Sequence, residues 1–153
     1  RTPATLGYRQ VATVAAVSKA GAALTYRSLA PACALNGQQI TPLTGTGECA
    51  ISVTSAGNAT AAPVTVILPI RITLGAQTLG TFVLPETLRA FSKTNLPTAT
   101  NFGERVIYKA IGSCSVVRSV LTMRRGKCEI NATSVGRKAL YEGLTTKLVT
   151  AAK

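Results

Sequence analysis

The side chains of this chain with the most chemistry to offer are four cysteines, Cys33, Cys49, Cys114 and Cys128. Four cysteines can form two disulfides in three different pairings, or they can bind a metal ion as thiolates. Zinc sites usually contain closely spaced cysteine pairs or histidine ligands, whereas here fifteen and thirteen residues separate the cysteines within each half, and histidine is absent. We therefore expect disulfides and no metal site. Disulfides persist in oxidising compartments, so we expect an extracellular or cell-surface protein.

Basic side chains are the second group that could bind something. Seventeen Lys and Arg face five acidic residues, which gives a net charge of +12 at pH 7. Such a surface attracts polyanions, for example an anionic cell-wall polysaccharide, although a solvated basic turn would have the same composition. Aromatic residues, on which nucleic-acid sites stack bases, are only 5% of the chain, which argues against nucleic acid as the partner.

The candidate polyanion-binding residues lie in the second half of the chain. We expect three of them, Arg124, Arg125 and Lys127, to stand at the tip of a hairpin. The complete candidate set is Arg118, Arg124, Arg125, Lys127, Arg137 and Lys138.

Catalytic side chains are scarce in the sequence. The chain has neither His nor Asp, and its five acidic residues are all Glu at scattered positions. General acid–base catalysis draws on histidine or paired carboxylates, a catalytic triad needs histidine, and calcium sites between β-domains need several carboxylates. The sequence also lacks a G-x-x-x-x-G-K-[ST] phosphate-binding loop. We therefore expect no enzyme activity and no cofactor.

The elements that must position the cysteines occur twice in the sequence. The stretch CAISVTSAG at 49–57 returns as CEINATSVG at 128–136, and LTYRS at 24–28 returns as VIYKA at 106–110. The order Tyr, Cys, Gly-x-Cys and Ile is the same in both halves, at an offset that falls only from 82 to 79 residues. Such collinear agreement indicates a duplication.

The duplication also favours one of the three pairings of the cysteines. Two cysteines stand at equivalent positions in each copy, which predicts bonds within the copies, Cys33–Cys49 and Cys114–Cys128. Each bond would close a loop of about 15 residues and contribute about 3 kcal/mol to stability. For domains of about 75 residues this is a large share of the total free energy of unfolding.

Periodicity and turn residues predict an all-β fold. Apolar and polar residues alternate from Cys49 to Thr54, which is typical of a half-buried antiparallel strand. Asn36-Gly37, between two short apolar runs, predicts a hairpin with a type I′ turn. Short strands at close intervals, without a long helical period, indicate sandwiches. Further strands are predicted at 10–18, 62–72, 78–85 and 143–151, and a single helical turn at 85–93.

A break in the strands near Leu74 and Gln77 divides the chain into predicted domains at residues 1–74 and 77–153. Copy two has its predicted first strand at 78–85, whereas copy one starts so close to its core that an equivalent strand looks missing. Either residues 3–10 supply this strand, or a strand from a neighbouring subunit completes the open sheet edge.

Both copies resemble the tandem bacterial immunoglobulin-like repeats of large secreted and cell-surface proteins. The resemblance covers about residues 10–72 and 78–151, and it weakens after Gly136, where RKALYEG replaces a run of small residues. It implies two tandem immunoglobulin-like β-sandwich domains that act as extracellular spacers, adhesins, surface-layer or filament components without catalytic residues. The residues that carry the resemblance are Tyr26, Cys33, Gly47, Cys49, Ile51, the stretch SAGNA at 55–59, Tyr108, Cys114, Gly126, Cys128 and the stretch TSVG at 133–136.

The sequence thus predicts a non-enzymatic extracellular structural protein, a subunit or segment of a bacterial cell-surface polymer, filament or adhesin that contacts copies of itself or neighbouring domains. Two alternatives stay open: a binding module for anionic cell-wall polysaccharide, and a nucleic-acid-associated or virion structural protein. No apolar run is long enough to predict a membrane span. Asn58 and Asn131 head formal glycosylation motifs, but Asn131 lies in a predicted strand.

Overall fold

The computed structural model describes residues 2–18 and 21–153 as β-strands joined by turns and loops. Helix is absent from these residues and two disulfides brace the strands, so the chain is an all-β protein. The strands belong to two compact units. The first unit comprises the described residues up to Gly75 together with Lys138–Tyr141, and the second comprises Ala76–Arg137 and Glu142–Lys153.

The first unit contains two sheets in its described part. Its strands are β1 (Thr5–Gly7), β2 (Ala12–Thr13), β3 (Leu24–Ser28), β4 (Cys33–Asn36), β5 (Gln39–Pro42), β6 (Gly47–Ser55) and β7 (Val64–Thr73). A four-stranded sheet has the order β1-β7-β6-β3, and a three-stranded sheet has the order β2-β5-β4. Neighbouring strands run antiparallel except for β1, which lies parallel to β7.

Alternation of side chains along β6 builds the core of the first unit. Cys49, Ile51 and Val53 are buried on one face, and Ile70 of β7 lies beside Cys49 on the same face. β-branched side chains suit these positions because they pack well on a pleated surface. The disulfide from Cys33 in β4 to Cys49 in β6, with the Cα atoms 5.8 Å apart, links the two sheets covalently.

The second unit contains two long strands among its five. Its strands are β8 (Thr87–Leu88), β9 (Lys93–Asn95), β10 (Ile107–Val117), β11 (Val120–Ser134) and β12 (Leu144–Ala152). The order is β10-β11-β12-β8, with β9 on the first part of β11 and β8 parallel to β12. The register of β10 on β11 shifts between Gly112 and Cys114, so each long strand has two parts.

Both units pair their strands in the same order. The two parts of β10 correspond to β3 and β4, and the two parts of β11 correspond to β5 and β6. At matching points of this register, Cys49 faces Ile70 in the first unit and Cys128 faces Thr150 in the second. The second disulfide joins Cys114 to Cys128, with the Cα atoms 5.6 Å apart. The two disulfides are therefore those that the duplication predicts.

The first strand of the first unit agrees with one of the two alternatives that the sequence leaves open, whereas the first strand of the second unit differs from the prediction. Residues 3–10 supply β1, so the first unit has a first strand of its own beside β7. The strand predicted at 78–85 is wrong, because the chain turns there and Phe82 N donates to Leu79 O at 3.4 Å. The place beside β12 is taken by β8 instead. The helical turn predicted at 85–93 is also wrong, since these residues form β8, a turn and the start of β9.

The early strand and the first hairpin turn also differ from the prediction. The strand predicted at 10–18 is limited to Ala12–Thr13, the residues that pair with β5. The turn between β4 and β5 is Gly37-Gln38, one residue later than predicted, because Asn36 pairs with Gln39. Of the two turn residues only Gly37 has a positive φ, 58°, which is the type II′ pattern and not type I′.

Four residues from late in the sequence belong to the first unit. Within it, Tyr141 is buried, and its ring stacks on the ring of Tyr8 with the centroids 6.0 Å apart. The backbone of this segment is also bonded, since Gly75 N donates to Leu140 O at 2.9 Å. The packing of Tyr141 explains why the sequence of copy two departs from that of copy one after Gly136.

Candidate functional site

The first candidate basic residue, Arg118, stands at a hairpin tip. Arg118 and Ser119 form the two-residue turn between β10 and β11, and their φ angles are 48° and 61°. Positive φ at both central residues is the type I′ turn, whose twist matches that of the two strands. The side chain of Arg118 is exposed there.

Arg124, Arg125 and Lys127 do not stand at a hairpin tip, so that prediction is wrong. They lie within β11, and their side chains are exposed. In the first unit a loop at 43–46 separates β5 from β6, but the equivalent stretch of the second unit is two residues shorter. The chain therefore continues as one strand, and these residues lie opposite the register shift of β10.

The remaining two candidates do not belong to the same unit. Arg137 is part of the second unit, whereas Lys138 is part of the first. The six basic residues that the sequence groups together thus occupy a turn, a strand interior and a loop, and proximity in sequence does not make them one site.

A cleft of about 500 Å³ in the second unit contains Arg118 together with a second arginine, Arg105. None of the residues that line this basic cleft is acidic, and Thr98 and Ser119 add hydroxyl groups to it. Paired guanidinium groups bind carboxylate, sulfate or phosphate groups by bidentate hydrogen bonds. The cleft is lined by Thr98, Arg105, Val106, Ile107, Tyr108, Val116, Arg118 and Ser119.

Arg105 was not among the residues that the sequence singled out. It precedes β10 and Arg118 follows it, so the two arginines flank the strand at opposite ends. No spacing rule links residues in these positions. Arg105 is identified as a candidate binding residue only from its place in the lining of the cleft.

Tyr108 fixes one wall of the basic cleft. Its hydroxyl donates a hydrogen bond to the carbonyl of Pro97 at 2.7 Å, which ties β10 to the segment that contains Thr98. Burial of the phenol raises the pKa of Tyr108 to about 12, since the charged form is poorly solvated there. A tyrosine is already neutral near pH 7, and the raised pKa extends the pH range over which Tyr108 stays a neutral hydrogen-bond donor in the cleft.

The positive charge of the chain is mostly uncompensated. Glu129 forms an ion pair with Lys147 at 2.8 Å. Even if each of the five Glu neutralised one basic residue, twelve of the seventeen Lys and Arg would remain. Such an excess produces a field that attracts anions over distances of about 8 Å at physiological salt.

A second cleft, in the first unit, is apolar and has a volume of about 460 Å³. It lies between the loop that follows β2 and the ends of β6 and β7. Val64 and Val66 of β7 line it and are 56% and 49% exposed. This apolar cleft is lined by Ala15, Ala16, Val17, Ser18, Leu24, Val53, Ser55, Ala61, Ala62, Val64, Val66 and Leu68.

The two glycosylation motifs lie in different settings. The side-chain oxygen of Asn58 accepts hydrogen bonds from the backbone N–H and the hydroxyl of Thr60, each at 2.9 Å, in the turn between β6 and β7. Asn131 lies inside β11, where it pairs with Lys109 and Lys147 of the neighbouring strands. The prediction that Asn131 is part of a strand is therefore confirmed.

Within residues 2–18 and 21–153, no group of three or more His, Cys, Asp or Glu is arranged to hold a metal ion. The same residues contain no helix with the length and apolar character needed to cross a membrane. Compared with known protein families and with curated proteins, the sequence matches no family model and no characterised protein.

Proposed function

We propose that this chain is a non-enzymatic extracellular structural protein, a segment or subunit of a bacterial cell-surface polymer, filament or adhesin. The observation that carries the proposal is a disulfide-braced strand order that is built twice in succession from related sequence. Repetition of one β unit lengthens a chain by a fixed step per unit, which is what a spacer or filament segment requires.

Each unit is, in this proposal, an immunoglobulin-like sandwich. In that fold strands B, E and D belong to one sheet and strands G, F and C to the other. The orders β2-β5-β4 and β7-β6-β3 agree with this arrangement, and β1 is a first strand placed beside the last one. One feature differs, because the disulfide joins β4 to β6, whereas antibody domains join strands B and F.

The extracellular location is supported by the state of the cysteines. All four are paired, and three of them, Cys33, Cys49 and Cys128, are at most 5% exposed. Buried pairs of this kind are structural bonds and not reactive thiols, and such bonds accumulate in oxidising compartments.

A load-bearing role is supported by the way in which the ends of each unit are held. β1 and β7 are parallel neighbours, as are β8 and β12. Force that pulls the start of β1 away from the end of β7 therefore acts along the strands, and it loads the hydrogen bonds between them together. A pair of strands peeled from one end would break its hydrogen bonds one at a time.

Immunogold electron microscopy of the native cell surface tests the structural role. We expect an antibody against this chain to label filaments or a surface layer at regular intervals. Label confined to the cell interior, or isolated particles whose absorbance at 260 nm shows co-purifying nucleic acid, would contradict the proposal and favour the virion or nucleic-acid alternative.

A second candidate function, binding of an anionic polysaccharide, is favoured by the basic cleft. Arg105 and Arg118 share this cleft with the hydroxyl-bearing residues Thr98, Tyr108 and Ser119, and no carboxylate is among the lining residues. Uronate or sulfate groups of a wall polymer have the charge and geometry that paired guanidinium groups recognise.

Salt-dependent retention on an immobilised anionic polysaccharide tests this second function. The variant Arg105→Gln/Arg118→Gln should elute at clearly lower salt than Arg124→Gln/Arg125→Gln, although both lose two positive charges. The difference is expected because only the first pair shares the cleft, whereas general attraction depends on net charge. Equal elution of the two variants would mean that net charge alone causes retention.

A further inference from the structure

One end of the second unit is closed by a segment that precedes its first strand. Gln77 is 7% exposed, and its side-chain N–H group donates to the carbonyls of Val135 at 2.7 Å and Glu142 at 2.8 Å. The hydroxyl of Ser134 donates to the side-chain oxygen of Gln77 at 3.3 Å. The amide thus satisfies the backbone where the chain leaves β11 and where it approaches β12.

The other side of the same segment is bound to Asn101. The backbone N–H of Asn101 donates to Thr78 O at 3.1 Å, and Thr78 N donates to the side-chain oxygen of Asn101 at 2.9 Å. The Asn101 side-chain N–H group also donates to Ala76 O at 3.3 Å. Residues 76–78 therefore bridge the loop before β10 and the turn between β11 and β12, and they close the space between them.

The equivalent place in the first unit can be identified from strand register. Ser134 pairs with Leu144 across β11 and β12, and Ser55 pairs with Val64 across β6 and β7. Leu144 is only 8% exposed, but Val64 is 56% exposed. The difference arises at the end of the sandwich that residues 76–78 close in the second unit.

The apolar cleft occupies this equivalent place in the first unit, because its lining includes Ser55 and Val64. Its lining residues come from the loop after β2, from the strands β3, β6 and β7, and from the turn between β6 and β7. Val64 and Val66 stay about half exposed there, whereas residues 76–78 close the corresponding place in the second unit.

We propose that the apolar cleft of the first unit is a docking site for an extended segment of a neighbouring repeat, with the chemistry of residues 74–83. The segment places a glutamine amide at the mouth, next to Ser55, and covers Val64 and Val66. Its occupant is a protein segment and not a small ligand, because the equivalent space in the second unit is closed by backbone hydrogen bonds and one amide. The biological use of the site rests on the structural role proposed above.

Titration of a fluorescently labelled peptide with the sequence of residues 74–83, LGAQTLGTFV, onto the complete chain tests the proposal by fluorescence anisotropy. We expect saturable binding. A peptide with Gln77→Glu should bind at least tenfold more weakly, because a carboxylate cannot donate hydrogen bonds to two backbone carbonyls. Equal affinity of the two peptides would overturn the proposal.

Two variants of the chain locate the bound peptide. Val66→Glu places a charge in the apolar cleft and should weaken binding at least tenfold, whereas Ile67→Glu, on the opposite face of β7, should leave it unchanged. Both side chains are about half exposed, so both variants are expected to fold. Binding that is insensitive to Val66→Glu would mean that the peptide displaces residues 76–78 from the second unit, and it would overturn the proposal.

The peptide experiment and the electron microscopy fail independently. If the chain binds no peptide but the antibody labels filaments, the docking site is refuted and the structural role is supported. If the chain binds the peptide but the antibody labels no surface assembly, the docking site is supported and the structural role is refuted.

Discussion

At the scale of single residues, the two units use different residue types for the positive φ angles of equivalent hairpin turns. Gly37 opens the turn between β4 and β5 with a φ of 58°, whereas the corresponding turn of the second unit contains Arg118 and Ser119 at 48° and 61°. A side chain in the left-handed region clashes with its own backbone and costs about 1 kcal/mol. In the second unit both Arg118 and Ser119 adopt this unfavourable conformation, which places an arginine at the tip of the hairpin.

The turns give a prediction for two single substitutions. Ser119→Gly should raise the free energy of unfolding by about 1 kcal/mol, and Gly37→Ala should lower it by a similar amount. A Cβ atom at Gly37 would have no neighbour within 4 Å, so the backbone conformation alone decides its effect. Urea unfolding measures both changes. A destabilising Ser119→Gly would show that the serine side chain contributes more than the strain it causes.

At the scale of strands, the sequence predicted best where alternation is regular and a partner is adjacent in the chain. The strands expected at 62–72 and 143–151 correspond to β7 and β12, which pair with the well-patterned β6 and β11. The prediction of a strand at 78–85 is wrong because these apolar residues have no neighbouring strand with which to form hydrogen bonds. The local alternation of apolar and polar residues does not show which segment pairs with a strand as distant in sequence as β12.

A sequence signal for the first strands did exist, but it is short. PATL at 3–6 and PETL at 85–88 share the offset of the tyrosines, and they contain the residues that lie parallel to β7 and β12. The candidate site was predicted less well than the fold. Arg118 was found from charge density, but Arg105 was not, since only the folded chain brings both arginines to one cleft.

At the scale of the whole molecule, stability is divided between two small units that each carry one disulfide. The bonds close loops of 16 and 14 residues by sequence separation, and each is expected to contribute about 3 kcal/mol. Cores of this size seldom supply more than about 5 kcal/mol by themselves. Each unit therefore depends on its own covalent bond as well as on its buried side chains.

The two disulfides should differ in their resistance to reduction. Cys33 and Cys49 are 5% and 0% exposed, whereas Cys114 is only partly buried. Thiol–disulfide exchange requires access of a thiolate to one sulfur, so limiting reductant should open Cys114–Cys128 first. Alkylation with a mass tag followed by peptide mapping measures the order. Simultaneous reduction of both bonds would mean that opening of a unit, and not exposure of the sulfur, controls the rate.

Removal of either bond should destabilise the unit that contains it. Cys33→Ser/Cys49→Ser should lower the stability of the first unit by about 3 kcal/mol, and Cys114→Ser/Cys128→Ser should do the same in the second. Hydrogen exchange of peptides from β6 and from β11 reports the two units separately, because these strands supply buried residues to the two cores. Each double variant should accelerate exchange most strongly in its own unit. If hydrogen-exchange protection fell in neither strand, the cores would be stable without the disulfides. That result would refute the conclusion that each unit depends on its disulfide.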